Sequence, residues 1–326
     1  PVFFLSTKHS VMRVQKLPLR VVVLTSLLLT WWSTTWVHSP QIRSLRGEKK
    51  PGISSLSIQA TKLDRYVIPE RRRVGHTPLA FLRVIGLATT LMTLGFFVVL
   101  PVVSVGVLLK KDPSRKWVDL VICAWSKMTI SPFFRVKISG QENLPQKSEA
   151  CVYVANHQSF MDILSVYQLF KPFKFVSKAS ILKIPFVGWA MKRAKTITIE
   201  REDRRSQLKT FRDCVETLEQ GTSIFVFPEG TRSSDGKLLK FKRGPVSMAK
   251  RAKVPIVPMT ILGTGRLMPA KKEYLLYQND AGVKIKVHPM ISAKEVEETP
   301  DDVLLQRLKQ TIDASLPPQL KQDEAM

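Results

Sequence analysis

The chain has 326 residues, enough for one domain with extensions. Its 51 Lys+Arg against 26 Asp+Glu leave a formal charge of +25, which implies an anionic partner, either nucleic acid or an anionic lipid surface. A hydrophobic content of 44% excludes disorder over most of the length, and Cys123, Cys151 and Cys214 form neither a disulfide framework nor a metal-ligand spacing, so they read as core thiols.

The sequence opens on Pro1, and Met12 is the first candidate start. From there a basic stretch (Arg13, Lys16, Arg20) precedes an apolar run over 21–32 and small polar residues up to Ser39, the pattern of a secretory signal peptide. The run is short for a spanning helix. Residues 40–78 form a basic linker; over 41–73 it is rich in Arg, Lys and Ser and holds only Glu48, Asp64 and Glu70 as acids, the composition of a transit segment. Together 1–78 read as a targeting region for two-step import, as into a plastid with extra membranes. The alternative is a signal anchor with a basic linker, which would place the protein in the endoplasmic reticulum membrane.

Residues 79–109 are apolar, interrupted by Arg83 and Pro101, and long enough to cross a bilayer. Cations flank both ends, so charge gives no orientation. Pro101 either kinks the segment or divides it into a hairpin that dips into one leaflet; a hairpin packed on the following domain is the other reading. Residues 117–130, with Trp125 and Met128, read as an amphipathic helix near the interface.

From about residue 131 short apolar runs alternate with helical periods. Strands are predicted over 135–138, 151–155, 174–177, 196–200, 223–227, 256–261 and 283–288. Helices are predicted over 159–169, 184–192, 206–220, 244–252 and 300–315. This alternation implies an α/β fold over 131–326, with a largely parallel central sheet flanked by helices and an N-terminal membrane-embedded segment over 79–130. Sites in such sheets lie at the carboxyl ends of strands, and His157, Arg201 and Glu229 each follow one.

Asn156-His157-Gln158-Ser159-Phe160-Met161-Asp162 places a histidine at a strand-to-helix turn and an aspartate in the first turn of the helix. A carboxylate there can orient an imidazole as general base. No serine or cysteine stands at a nucleophile elbow beside it, so the base would activate a hydroxyl of the substrate. Phe227-Pro228-Glu229-Gly230-Thr231-Arg232-Ser233 follows another strand and displays Glu229 and Arg232 on one loop. Arginine grips phosphate bidentately, and Thr231 and Ser233 can add hydroxyl donors. Phe241-Lys242-Arg243-Gly244 then opens a helix whose N-terminus favours the same anion. Residues 236–253 hold seven Lys/Arg and no acid, although any single lysine is most simply a solvated surface residue.

These motifs together resemble the glycerolipid acyltransferase family, specifically the 1-acyl-sn-glycerol-3-phosphate acyltransferases, over residues 134–291. Four blocks stand in family order: His157 with Asp162; the strand ending Glu200-Arg201; Glu229-Gly230-Thr231-Arg232; and the proline-flanked run Val254-Pro255-Ile256-Val257-Pro258-Met259. The stretch Phe175-Val176-Ser177-Lys178 running into Leu182-Lys183-Ile184-Pro185-Phe186-Val187-Gly188-Trp189 also looks like bacterial and plastid members. Two departures are Glu200 where Asp is frequent, and Arg193-Ala194-Lys195 where a glycine pair is frequent.

The resemblance implies that His157 is the general base on the sn-2 hydroxyl of lysophosphatidic acid and that Asp162 orients it. It implies that Arg201, Glu229, Gly230 and Arg232 hold the glycerol phosphate, with Lys178, Lys242 and Arg243 in support. The expected product is phosphatidic acid, and the expected acyl donor is acyl-CoA or acyl carrier protein, with no metal and no further cofactor. Glycerol-3-phosphate or another lysophospholipid is the alternative acceptor. Residues 171–212 hold twelve Lys/Arg against Glu200, Glu202 and Asp203, a balance suited to an anionic membrane surface at about 1 kcal/mol per basic residue near it. Nucleic acid as partner is not expected: charge alone favours it, and no nucleic-acid module accompanies the charge. A non-catalytic basic membrane-binding protein would not need His157, Asp162 and Glu229 together.

Overall fold

In a computed structural model of the protein the described residues are 63–68, 77–108, 115–145, 149–183 and 187–321. The signal-like stretch 12–39, the transit-like linker 40–78 apart from 63–68 and 77–78, and residues 184–186 of the family-like stretch lie outside them. Seven strands form one sheet: β1 (Val136–Ser139), β2 (Val152–Ala155), β3 (Phe173–Lys178), β4 (Ile197–Ile199), β5 (Ser223–Val226), β6 (Ile256–Leu262) and β7 (Val283–Val287). Each falls within one residue of its predicted ends. Their order is β1-β7-β6-β2-β5-β3-β4.

β6, β2, β5, β3 and β4 run parallel, β7 is antiparallel to β6, and β1 is parallel to β7. The largely parallel sheet therefore has one antiparallel junction. Its cause is local: between β6 and β7 the only α-helix is the four-residue Thr264–Leu267, too short to carry the chain back across a face, so β7 returns beside β6.

The central strands are buried on both faces. Val152 and Val154 of β2 face one cluster with Ile224 and Ile256, while Tyr153 and Ala155 face another with Phe173, Phe225 and Met259. The first face is covered by three helices: Arg204–Glu219, Gly244–Ala252 and Asp301–Asp313. The last presents Leu304, Leu308 and Ile312 at four-residue spacing, all fully buried, each stabilising by about 1.5–3 kcal/mol. The helix at Arg204 starts where Asp203 accepts hydrogen bonds from the backbone of Arg205 and Ser206 at 2.9 and 3.1 Å.

We label α1 the long helix Thr77–Leu94, continued by a π turn Gly95–Val99 and by Leu100–Leu108. α2 is Lys116–Ile130 and α3 is Met161–Val166. α1 is one continuous helix, so Pro101 does not divide it into a hairpin. Proline lacks an N–H and crowds the carbonyl four residues back, and the π turn just before it widens the helix there. α2 runs antiparallel beside α1. A Cβ on Gly86 would lie 3.5 Å from Phe133, one on Gly95 3.8 Å from Trp125, and one on Gly106 2.1 Å from Trp117. The glycines thus let aromatic rings settle on the α1 backbone.

Two surfaces of this helix pair differ. α2 buries Val118, Cys123 and Ile130 and packs on the second core cluster. α1 leaves Leu82, Ile85, Met92, Phe97, Val102 and Val105 exposed. The hydroxyls of Thr89, Thr90, Thr93 and Ser104 donate back to carbonyls four residues earlier, which satisfies them without water. Asp119 of α2 and Lys174 of β3 form a buried ion pair at 2.7 Å.

Candidate active site

The carboxyl ends of β2 and β5 lie side by side and bring the two main motifs together. β2 ends at Ala155, and Asn156 then fixes the turn: its side chain donates to Ile261 O at 2.9 Å and accepts from Ile261 N at 2.7 Å, clamping the chain to β6. Next, His157 Nδ1 lies 2.7 Å from Asp162 Oδ2. The same oxygen accepts from the backbone N–H of Gln158 at 2.7 Å and of Ser159 at 2.8 Å, so it cannot swing away. Asp162 is fully buried and His157 is 14% exposed. A carboxylate at Nδ1 favours the tautomer with its proton on Nδ1, which leaves Nε2 of the neutral ring as the acceptor.

The second motif supports the first. His157 N–H donates to Glu229 Oε1 at 2.8 Å, and His157 O accepts from Ser233 N–H at 2.8 Å. The imidazole stacks on Phe227 at 3.9 Å between centroids with an 11° tilt. Phe227 in turn rests on Phe175 and Phe225. The ring is therefore held by a carboxylate at one edge, an aromatic face beneath and backbone bonds on both sides.

Hydroxyls close in sequence are already used. Ser159 Oγ donates to Met268 O at 2.6 Å, and Ser233 Oγ donates to Asp235 at 2.8 Å while accepting from Gly236 N–H. Ser233 is buried in this turn and is not open to a phosphate, whereas Thr231 is exposed.

Glu229 occupies a different place from the one its spacing predicts. It is 4% exposed, and its second oxygen accepts from Leu239 N–H at 3.0 Å. Both oxygens are thus committed to backbone donors, and the side chain ties the His157 segment to the loop at 239 instead of facing a phosphate. Burial pushes its carboxyl up to about 7 from 4.5, against the backbone bonds from Leu239 and His157 that pull it down. A raised folded value means that the folded state holds a proton the unfolded chain has lost. This group's contribution to stability is full below pH 4.5 and is lost as pH rises to about 7. In Glu229→Gln that slope is expected to vanish: the wild-type minus variant stability, from denaturant melts, falls across the window, and a flat difference would contradict the assignment.

The cations are distributed unevenly. Arg232 follows β5, the neighbour of β2, and its Nη1 pairs with Glu273 Oε1 at 2.5 Å. Gly230 adopts φ +70°, a conformation that favours glycine, and a Cβ there would meet Lys242 Nζ at 2.8 Å, so Lys242 lies over the turn. Lys178 ends β3, and Arg201 follows β4; both are exposed. β4 is three strands from β2, which sets Arg201 about 14 Å aside at the backbone. Arg232 therefore comes from the loop beside the His157 turn, and Arg201 from a strand farther along the sheet. Arg243 turns away and pairs with Asp302 at 2.7 Å. Sequence reasoning overlooked the Asn156 clamp, the Phe227 stack and Glu273. Asn156 and Phe227 adjoin the motifs, whereas Glu273 has no local signal.

Comparison with known proteins gives concordant matches. A family model described as Acyltransferase matches residues 135–262. A chloroplastic 1-acyl-sn-glycerol-3-phosphate acyltransferase of Arabidopsis thaliana is 40% identical over 62% of this chain and 56% of its own length. A 1-acyl-sn-glycerol-3-phosphate acyltransferase of Chlamydomonas reinhardtii is 42% identical over 71% of this chain and 68% of its own. The chain thus spans between half and about two thirds of these relatives. The crystal structure of the 1-acyl-sn-glycerophosphate acyltransferase of Thermotoga maritima superposes with a TM-score of 0.60 at 28% identity, covering 71% of this chain and 93% of that one.

Proposed function

This chain belongs to the glycerolipid acyltransferase family of the 1-acyl-sn-glycerol-3-phosphate acyltransferases, and on that premise we propose that it acylates the sn-2 hydroxyl of lysophosphatidic acid to give phosphatidic acid. The observation that carries this reading is the His157–Asp162 pair at the end of a central strand, with the neighbouring hydroxyls of Ser159 and Ser233 already committed to Met268 O and Asp235.

His157 Nε2 takes the proton of the acceptor hydroxyl as its oxygen attacks the thioester carbonyl carbon of acyl-CoA or acyl carrier protein. Asp162 holds the ring and stabilises the imidazolium. The C–S bond then breaks, and the thiolate leaves with the proton returned from the imidazolium. Arg232 binds the acceptor phosphate, with Lys242 over the Gly230 turn and Arg201 and Lys178 at the rim. Glu229 serves by holding the His157 backbone. This chemistry uses positioning and one general base.

α1 supports a membrane role. Pro78–Gly106 spans about 44 Å as a helix, more than the roughly 30 Å of a hydrocarbon core, and 11% of its most apolar stretch is buried against the protein. An exposed apolar face of this size belongs in lipid, where the acceptor resides. Chloroplastic relatives and the two-part targeting pattern favour a plastid membrane; imaging residues 1–75 fused to a fluorescent protein separates this from the endoplasmic reticulum. The function is tested by acyl transfer in the membrane fraction, crossing lysophosphatidic acid, glycerol-3-phosphate and other lysophospholipids with both donors. Preference for lysophosphatidic acid is the expected outcome, and preference for any other acceptor overturns the assignment.

A further inference from the structure

The Arg232–Glu273 ion pair holds the guanidinium proposed to grip the acceptor phosphate, and the role of Glu273 rests on that reading. Glu273 comes from the connection between β6 and β7, far from the motifs in sequence. Its Oε1 meets Arg232 Nη1 at 2.5 Å and also accepts from Lys271 N–H at 3.1 Å. Lys271 adopts φ +66°, which folds the loop so that the carboxylate points back. The loop is anchored on both sides. Met268 O accepts from Ser159 Oγ within the His157–Asp162 segment, and Leu276 N–H donates to Ala80 O at the start of α1. Arg83 of α1 adds a bond to Gln278 at 2.8 Å. Only the short stretch 270–274, between buried Pro269 and Leu275, has to move for Glu273 to leave Arg232.

A carboxylate and a phosphate both offer paired anionic oxygens to a guanidinium fork. Arg232 and Glu273 are 35% and 40% exposed, so their pairing is weak enough for a ligand to displace. We propose that Glu273 is a placeholder for the acceptor phosphate: it occupies Arg232 in the empty site, yields to the incoming headgroup, and returns as the product leaves. Reactant and product carry the same phosphate, so one competitor weakens both. A placeholder lowers affinity by the fraction of time Arg232 is taken, about two- to fivefold for an exposed pair.

The test uses the full-length enzyme in detergent–lipid micelles, with Glu273→Gln, Glu273→Ala, Arg232→Ala and the double variant Arg232→Ala/Glu273→Gln. The readouts are KM for lysophosphatidic acid, inhibition constants for glycerol-3-phosphate and for phosphatidic acid, and KM for the acyl donor. Both Glu273 variants are expected to lower the first three by one common factor of about two to five and to leave donor KM in place. In the Arg232→Ala background the Glu273 change is expected to have no effect. If Arg232→Ala raises acceptor KM but Glu273→Gln leaves it unchanged or raises it, the placeholder is refuted and Glu273 is idle or a helper. If Arg232→Ala itself leaves acceptor KM unchanged, the phosphate assignment of Arg232 fails instead.

Discussion

His157→Ala is expected to reduce acyl transfer by about 10²–10⁴-fold while leaving the protein folded and bound to membranes. The side chain is 14% exposed and makes one side-chain hydrogen bond, to Asp162, plus its stack on Phe227. The two backbone bonds that hold the segment, to Glu229 and from Ser233, survive the substitution. Loss of activity would therefore report the missing base and not a collapsed turn. Asp162→Asn provides a companion measurement. An amide oxygen in the place of Oδ2 keeps the backbone donors of Gln158 and Ser159 and can still accept from Nδ1–H, but it carries no charge to stabilise the imidazolium. Near-wild-type turnover by His157→Ala in purified membranes would remove histidine from the mechanism.

The largest effect on stability is expected at Asp119 and Lys174. Their side chains are 3% and 4% exposed and 2.7 Å apart. Removing one partner takes a short charge–charge contact out of a low-dielectric interior, so Asp119→Ala is expected to cost about 3–5 kcal/mol. Replacing both by apolar residues of similar volume, Asp119→Leu with Lys174→Met, is expected to be close to neutral, because neither charge then has to be desolvated. Thermal and denaturant melts of the single and double variants decide this. A mild single variant, or a double variant as damaged as the single, would contradict this account of the pair. Lys174 is level with Ile224 and Val152 at the start of the strands, whereas His157 follows their carboxyl ends, so the double variant is expected to retain transfer activity.

Much of the fold is legible in the sequence because its signals are local. Seven short apolar runs bounded by polar or turn residues become seven strands, since a strand buried on both faces needs continuous apolar side chains. The His157–Asp162 contact is equally local: five positions across a strand-to-helix turn leave the carboxylate little else to touch. The antiparallel β7 is less legible, because direction depends on how the connection after β6 travels. α1 as one helix is also less legible. A proline inside an apolar run has several outcomes, and the π turn that resolves it is a backbone adjustment without its own residue signature.

The residue types at the site, the order of its blocks, the basic surplus and the apolar length of α1 are all determined by the sequence alone, because each depends on composition or on short spacing. Tertiary structure decided what those residues face. It turned Glu229 from a displayed acid into a buried tie between backbone segments, sent Arg243 to Asp302, and set Glu273 against Arg232 from 41 positions away. The reason is physical. A side chain's partner depends on where the sheet order places distant loops, and strands adjacent in space here come from widely separated parts of the chain.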